Sequence, residues 1–256
     1  MALPVVVTRP EEAGRRVTAE LAALGVDALW LPAFDLGPAP DPQAVADTLA
    51  RLADYDLAIF VSPAAVRATA AVLSDAWPTT TAIAVVGAGT ERAVRERLAG
   101  ANAAIVFSAA GDDAESGSEA LWSALSAQPS PPQRALVLRA QGGREWLLDR
   151  LREVGAQVEP LAVYERRAHA PNDADLDWLH RHAEQGAVAS VVTSSEAVAA
   201  LMDAMRDAPA ALAALRAGPA LASHPRIAER LRVSGFGDVR LCAPNAAAIQ
   251  AAVDAT

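Results

Sequence analysis

Short apolar runs alternate with longer amphipathic stretches along the whole chain. Most of the apolar runs are continuous and not alternating, which is typical of strands covered on both faces of a parallel sheet. They predict ten strands, at Val5–Val7, Ala28–Leu31, Leu57–Val61, Ile83–Val86, Ala104–Phe107, Ala135–Leu138, Gln157–Val163, Ala189–Thr193, Ala220–Ala222 and Asp238–Leu241. The stretches between them predict helices such as Glu11–Leu24, Pro63–Leu73, Thr90–Leu98, Arg144–Val154 and Glu196–Met205. Repeated strand–helix–strand units indicate right-handed parallel crossovers, and ten strands favour two sheets over one.

Glycine and proline residues mark the ends of these elements. Four predicted helices are followed by a glycine that can close the helix in a left-handed conformation, at Gly25, Gly100, Gly155 and Gly235. The segment 31–42 is too rich in proline for regular structure, and the segment 164–171 is polar and ends in Pro171. We predict that both segments are hinges.

The sequence repeats itself at an offset of about 130 residues. Three strand–turn–helix units occur in order and then occur again, because the units that begin at Val5, Val61 and Val85 resemble those that begin at Leu136, Thr193 and Ala222. A bare duplication would place a domain boundary near the proline-rich Gln128–Gln133 stretch.

Composition and charge narrow the class of protein. The 256 residues allow two domains of about 100–150 residues each, and 52% hydrophobic with 21% charged residues indicates an ordered globular chain. The one cysteine, Cys242, excludes an internal disulfide and a metal site of several thiolates. A formal net charge of −9 argues against nucleic-acid binding and anionic lipid, which need a basic face, but it permits a local basic pocket.

The sequence shows neither a targeting segment nor a membrane segment. Met1–Val5 has no basic stretch ahead of an apolar one, as a secretory signal would have. No apolar run approaches the ~20 residues that a bilayer-spanning helix needs. We therefore expect a cytoplasmic protein with no membrane partner, and the single cysteine fits a reducing compartment.

Small hydroxyls, glycines and arginines follow the predicted strands. They are Thr8, Arg9, Ser62, Gly87, Gly89, Thr90, Arg139, Gly142, Gly143, Arg144, Thr193 and Ser194. Ligands of open parallel sheets bind at the carboxyl ends of strands, where helix N–H groups point outward, and this set of groups suits carboxylates or phosphates. The alternative for each serine or threonine is an ordinary helix N-cap, worth about 1 kcal/mol.

The motifs of common cofactors are missing from these turns. Gly87-Ala88-Gly89 lacks the third glycine of a dinucleotide fingerprint, since Arg92 stands in its place, and Gly142-Gly143 lacks the ending of a P-loop. His180 and His182 lie beside Arg181 and are expected to be solvated helix residues. We expect no cofactor and no metal.

Tyr164 is a candidate proton donor. It is one of two tyrosines, and it ends the apolar run 161–163 just before a basic pair. A phenol at the end of a strand can donate a proton or a hydrogen bond to a ligand. The alternative is a partly buried tyrosine between domains whose hydroxyl already has a partner.

Taken together, these motifs resemble the uroporphyrinogen-III synthase family, whose members close linear hydroxymethylbilane into an asymmetric macrocycle. The resemblance covers residues 5–235 and rests on the order and spacing of short motifs. They are Thr8-Arg9-Pro10, 60–66, 86–90, Gly143-Arg144 with Leu147, 155–166 and 193–198.

The resemblance implies a fold and a domain division. The fold is α/β, with two doubly wound parallel-sheet lobes, two linker strands and a ligand cleft between the lobes. The first lobe would be discontinuous, made of residues 1–33 and 170–256. The second would be residues 40–164, with linkers at 34–39 and 165–169.

The resemblance also implies site residues and a reaction. Tyr164 corresponds to the acid that assists loss of the substrate hydroxyl as water, before a spiro intermediate inverts the terminal ring. Ser62, Thr90 and Ser194, with backbone amides such as that of Gly87, would bind the acetate and propionate side chains. Arg9 and Arg144 are added from their positions on turns, and not from the resemblance, as basic groups that could help binding. The family's second Gly-x-x-Thr unit is replaced by His224-Pro225-Arg226-Ile227, so one expected hydroxyl is missing.

The expected partner is therefore a small molecule, hydroxymethylbilane, bound by a monomer without nucleic acid or membrane. Direct hand-over from the upstream enzyme that forms the bilane is left open. The main alternative is a non-enzymatic two-lobe sensor, which usually has an export signal or an output domain. A sugar-nucleotide transferase is a weaker alternative, because its nucleotide-binding pattern is missing.

Overall fold

A computed structural model describes residues 2–101, 106–108 (backbone only), 117–142 and 145–254. The chain divides into two compact units. Unit 1 consists of Met1–Leu36 and Arg167–Thr256, and unit 2 consists of Gly37–Arg166. Each of the two predicted linkers therefore contains one crossing of the chain from one unit to the other.

Eleven strands and eleven α-helices lie in the described part of the chain. The strands are β1 Val5–Val7, β2 Ala28–Trp30, β3 Phe34–Gly37, β4 Leu57–Phe60, β5 Ala82–Val85, β6 Val106–Ser108, β7 Arg134–Ala140, β8 Gln157–Ala168, β9 Ala189–Val192, β10 Ala220–Ala222 and β11 Val239–Leu241. The helices are α1 Glu11–Ala23, α2 Pro42–Leu49, α3 Pro63–Val72, α4 Ala88–Arg97, α5 Ser118–Ser126, α6 Trp146–Glu153, α7 Asp173–Gln185, α8 Ser195–Ala204, α9 Pro209–Ala217, α10 Pro225–Val233 and α11 Ala246–Asp254. None of the described helices is long and apolar enough to cross a membrane.

Unit 1 contains a parallel sheet in the order β11-β10-β9-β1-β2. Val6 packs into one hydrophobic cluster, whereas Val5 and Val7 pack into another, so both faces of β1 are covered by helices. This double burial explains why β1 is a continuous apolar run. The strand order reverses between β1 and β9, and such a switch point is where open α/β sheets bind ligands.

Unit 2 contains the second sheet, in the order β3-β8-β7-β4-β5-β6. The four pairs β8-β7, β7-β4, β4-β5 and β5-β6 are parallel. If β7 is taken as the first strand, these five strands repeat the order of unit 1, and β3 is an added edge strand. The switch point of unit 2 accordingly lies between β7 and β4.

The internal repeat is divided between the two units. The first repeat supplies β1 to unit 1 and β4 and β5 to unit 2, whereas the second supplies β7 to unit 2 and β9 and β10 to unit 1. Each sheet therefore combines the first strand of one repeat with later strands of the other. The boundary expected from a bare duplication, near Gln128–Gln133, lies inside unit 2.

The predicted α/β fold with parallel sheets is confirmed, and two details of the prediction are wrong. The segment 31–42 contains a strand, β3, which lies at the edge of its sheet, where nearby prolines are tolerated. The predicted hinge 164–171 is strand as far as Ala168.

The four helix-closing glycines all have positive φ, at Gly25 (80°), Gly100 (81°), Gly155 (90°) and Gly235 (90°). The predicted strand Ala104–Phe107 begins outside the described residues, and β6 covers 106–108.

Candidate active site

Tyr164 and Ser62 meet at the switch point of unit 2. Ser62 follows β4 and is the N-cap of α3, where its Oγ accepts a hydrogen bond from the Ala65 N–H at 3.1 Å. The same Oγ lies 3.1 Å from the Tyr164 Oη. The structure therefore brings together two residues that the sequence analysis had selected for separate reasons.

A β-bulge explains how Tyr164 reaches Ser62. Ala162 pairs with Arg139 and Tyr164 with Ala140, so Val163 is an extra residue on β8, and such a bulge re-aims the neighbouring side chains. The Gln141 N–H donates to the Tyr164 carbonyl at 2.9 Å, which fixes the backbone at this point. β8 and β4 are two strand spacings apart, or about 9.6 Å, and the side chains of Tyr164 and Ser62 together bridge that distance.

Gly87 and Thr90 form the next turn of unit 2. Gly87 is the N-cap of α4 with a φ of 81°, a left-handed conformation that favours glycine. The Thr90 hydroxyl is buried and donates to the Val86 carbonyl at 2.6 Å. A Cβ on Gly89 would lie 3.7 Å from Pro63, so this turn is next to the Ser62 turn. The contact of Thr90 with substrate stays a prediction.

Arg139 holds the turn between β7 and α6. Its guanidinium is buried, pairs with the Glu145 carboxylate at 2.9 Å and donates to the Gly142 carbonyl at 2.6 Å. The sequence indicates that Arg139 lies at a strand end but indicates no role for it. An arginine at a strand end followed by two glycines was the available signal. Gly143 and Arg144 lie outside the described residues.

The switch point of unit 1 is built around Thr8 and Arg9. The Thr8 hydroxyl donates to the Val191 carbonyl at 2.8 Å, which ties β1 to β9. Arg9 donates to the Pro244 carbonyl at 2.8 Å. Burial, and then the charge of Arg16, lower the pKa of Arg9, although a guanidinium remains charged at neutral pH. An anion bound to Arg9 would offset both effects.

Trp30 and Arg15 extend this basic region. The indole N–H of Trp30 donates to the Arg9 carbonyl at 2.9 Å, and the Arg15 guanidinium lies 3.9 Å from the Trp30 ring centroid. Gly14 leaves room for the indole, because a Cβ there would come within 2.2 Å of the Trp30 Nε1. No signal in the sequence connected these residues, since Trp30 reads as the end of a strand.

Two further turns of unit 1 match the sequence analysis in position. Ser194 is the N-cap of α8 and accepts from the Ala197 N–H at 3.1 Å, and unit 1 contains no tyrosine. His224 is the N-cap of α10, with its Nδ1 as acceptor for the Arg226 N–H at 3.2 Å. An imidazole therefore occupies the N-cap position that corresponds to Gly87, and Ile227 occupies the position where the resemblance leads us to expect the hydroxyl.

The chemistry of these turns suits a ligand with several carboxylates. All 22 basic residues of the chain are arginines, whose planar fork can bind a carboxylate with two hydrogen bonds. Helix N-termini add backbone N–H donors and a partial positive charge. Among the described residues, no group of three or more His, Cys, Asp or Glu side chains could hold a metal ion.

Together the two sheets and their switch points define a two-unit, doubly wound α/β protein with hydroxyl and guanidinium groups at the ligand-binding ends of its strands. The model of the uroporphyrinogen-III synthase HemD family matches residues 15–249. The chain belongs to the uroporphyrinogen-III synthase family, so the resemblance stated from sequence is confirmed.

Individual relatives agree with this assignment. Uroporphyrinogen-III synthase of Salmonella typhimurium is 32% identical over 199 residues, which are 76% of this chain and 76% of that protein. The Escherichia coli protein of the same name is 31% identical over the same shares. The fold is similar to that of a mutant uroporphyrinogen III synthase from Thermus thermophilus, with a TM-score of 0.60, 22% identity and coverage of 93% and 92%. It is also similar to the structure of uroporphyrinogen-III synthetase from Helicobacter pylori, with a TM-score of 0.60 and 15% identity. That match covers 99% of this chain and 100% of the other.

Proposed function

We propose that this chain catalyses the cyclisation of hydroxymethylbilane to uroporphyrinogen III, with inversion of the terminal pyrrole ring. Membership of the family supports the reaction class, a cyclising lyase. The observation that carries the proposal is the Tyr164 hydroxyl at the switch point of unit 2, where Ser62 is its hydrogen-bond partner among the described residues. A phenol held there is positioned to protonate a leaving group.

The proposed reaction begins with loss of water. Tyr164 donates its proton to the substrate hydroxyl, the C–O bond breaks, and water leaves an azafulvene cation. The terminal ring attacks through its substituted carbon to give a spiro intermediate, which fragments and recloses with that ring inverted. The proton released as the ring becomes aromatic again restores the Tyr164 phenol. The net change is the loss of one water molecule.

Most of the catalytic effect would come from orientation. The linear substrate is flexible, and the enzyme must hold its two ends in one productive arrangement. We assign Arg9, Arg144, Ser194 and the amides that follow Gly87 to the binding of acetate and propionate groups. The acidic net charge opposes a polyanionic substrate, so the local arginines and helix N-termini have to overcome it.

The cellular setting belongs to the same proposal. We propose a monomer in the cytoplasm that acts on a small molecule, either free or handed over by the enzyme that forms the bilane. The non-enzymatic sensor is the competing function, and it predicts binding of the bilane without turnover.

The test is to incubate the protein with freshly generated hydroxymethylbilane and to oxidise the products to porphyrins. The substrate closes to the symmetric type I isomer without an enzyme, so we expect a type III fraction that rises with protein concentration. Heat-denatured protein is the control. A product that remains type I at high protein concentration would overturn the proposal.

A further inference from the structure

We propose that Ser62 is a positioning residue that donates its hydroxyl hydrogen bond to the Tyr164 Oη and so directs the phenol proton toward the substrate. This inference rests on the proposed function of Tyr164 as the acid. It changes the role expected for Ser62, which the resemblance placed among the groups that bind carboxylates.

The helix cap limits how the Ser62 hydroxyl can take part in this hydrogen bond. A serine hydroxyl has one proton and two acceptor lone pairs. One lone pair of the Ser62 Oγ faces the Ala65 N–H, at 3.1 Å, so the hydroxyl proton points away from the helix. The Tyr164 Oη lies 3.1 Å away and is the acceptor within reach. The cap occupies one lone pair and leaves the proton and the second lone pair, so either oxygen can donate in this geometry, and we take Ser62 as the donor.

This direction leaves the phenol proton free. If Tyr164 accepts from Ser62, its own O–H can point at the leaving oxygen of the substrate. When the proton is transferred, the Ser62 hydroxyl already faces the phenolate, and a hydrogen bond to a charged oxygen is stronger than one to a neutral oxygen. The positive end of α3 favours the same charge. The pair is thus better matched to the transition state than to the resting enzyme.

The helix-capping role of Ser62 can be separated from its role toward Tyr164. Glycine replaces an N-cap serine at little cost in stability but has no hydroxyl. Ser62→Gly therefore removes the donor and retains most of the cap, and Ser62→Thr restores a hydroxyl that can cap and donate. Ser194 supplies the matched control, because it caps α8 with the same 3.1 Å bond and unit 1 contains no tyrosine.

The experiment is a double-mutant cycle on turnover, with circular dichroism to verify the fold of each variant. We expect Ser62→Gly to lower kcat by about 2- to 12-fold with little change in KM, as expected for one net hydrogen bond. We expect the same substitution to have almost no effect on kcat in the Tyr164→Phe protein. Ser62→Thr should recover most of the activity. If Ser62→Gly does not fold, Ser62→Ala replaces it in the cycle.

The controls separate this inference from the proposed function. Ser194→Gly and Tyr164→Phe should have multiplicative effects, because the two residues belong to different units of the chain. Multiplicative effects of Ser62→Gly and Tyr164→Phe would overturn the positioning role and leave Tyr164 as the acid. A change in KM alone for Ser62→Gly would also overturn it, since that outcome indicates substrate binding. An active Tyr164→Phe protein would overturn the role of Tyr164 and this inference with it.

Discussion

Ser62 in unit 2 and Ser194 in unit 1 occupy equivalent positions in the internal repeat, and each caps a helix through a 3.1 Å bond from the N–H three residues ahead. The two strand orders are also the same, apart from the edge strand β3. The repeat therefore reproduces the backbone and the caps of the switch point in both units.

The chemistry around these caps is different in the two units. In unit 2 the extra residue Val163 places a phenol against the cap. In unit 1 the corresponding region carries the guanidinium groups of Arg9, Arg15 and Arg16, with Trp30 beneath Arg15. The strand order and the helix caps occur in both units and are explained by stability alone. The phenol and the arginines each occur in one unit, and they indicate where the function lies. We infer that unit 2 supplies the acid and that unit 1 supplies charge for binding.

The largest expected effect is on turnover in Tyr164→Phe. This change removes only the hydroxyl, so the fold should lose about 0.5–1.5 kcal/mol. We expect kcat to fall at least 10-fold, equivalent to about 1.4 kcal/mol of barrier, in a type III isomer assay. Tyr55→Phe is the matched control. Tyr55 precedes β4, at the amino-terminal ends of the strands and away from the site, and its hydroxyl donates to Glu159 at 2.5 Å. Near-normal turnover of a folded Tyr164→Phe protein would contradict the assignment of the acid to unit 2.

The next effect concerns substrate binding by unit 1. We expect Arg9→Gln to raise KM by about 3- to 10-fold with kcat changed by less than about 2-fold, since one charge-assisted contact in a partly exposed site is lost. Arg9→Lys retains the positive charge but loses the planar guanidinium, so its KM should lie between those of wild type and Arg9→Gln. Arg206→Gln is the control, because Arg206 follows the carboxyl end of α8, whereas the site lies at the amino-terminal end of that helix. A fall in kcat without a change in KM would show that unit 1 takes part in the chemistry.

The sequence was sufficient to predict the fold because both faces of each sheet are covered. Runs such as Val5–Val7 must then be apolar at every position, which makes them visible. β3 was missed because only four residues pair at an edge, between Pro32 and Pro38. The carboxyl half of β8 was missed because its exposed residues near Arg166 resemble a hinge.

The positions of the site residues were predictable, but their contacts were not. Strand ends are visible in sequence, so Ser62, Arg9 and Tyr164 could each be selected. The bond between Ser62 and Tyr164 depends on the bulge at Val163, which has no glycine to mark it, and on the placement of β7 between β8 and β4. Strand order and bulges arise from tertiary packing, which no local pattern records.

Alkaline pH should lower the stability of the protein through unit 2, because both tyrosines lie in that unit. Burial, and then the hydrogen bond and charge of Glu159, raise the pKa of Tyr55 to about 12. Since the unfolded pKa is about 10, this stabilisation is complete below pH ~10 and is lost as the pH rises toward 12. From pH 9 to 11 we expect the free energy of unfolding in urea to fall by about 1 kcal/mol more in wild type than in Tyr55→Phe. Equal losses in both proteins would contradict the role of Tyr55.

The smallest expected effect is on the stability of the two helix caps. Ser194→Ala should lower the free energy of unfolding by about 1 kcal/mol, the usual cost of an N-cap. Ser62→Ala should cost about 0.5–1.5 kcal/mol more, because it also breaks the bond to Tyr164. In the Tyr164→Phe background that excess should disappear, so that the two caps become equivalent. Urea unfolding of the six proteins in this comparison measures each difference. If the excess persists without the phenol, the asymmetry lies in the cap of α3 itself, and the two switch points differ in their scaffold as well as in their chemistry.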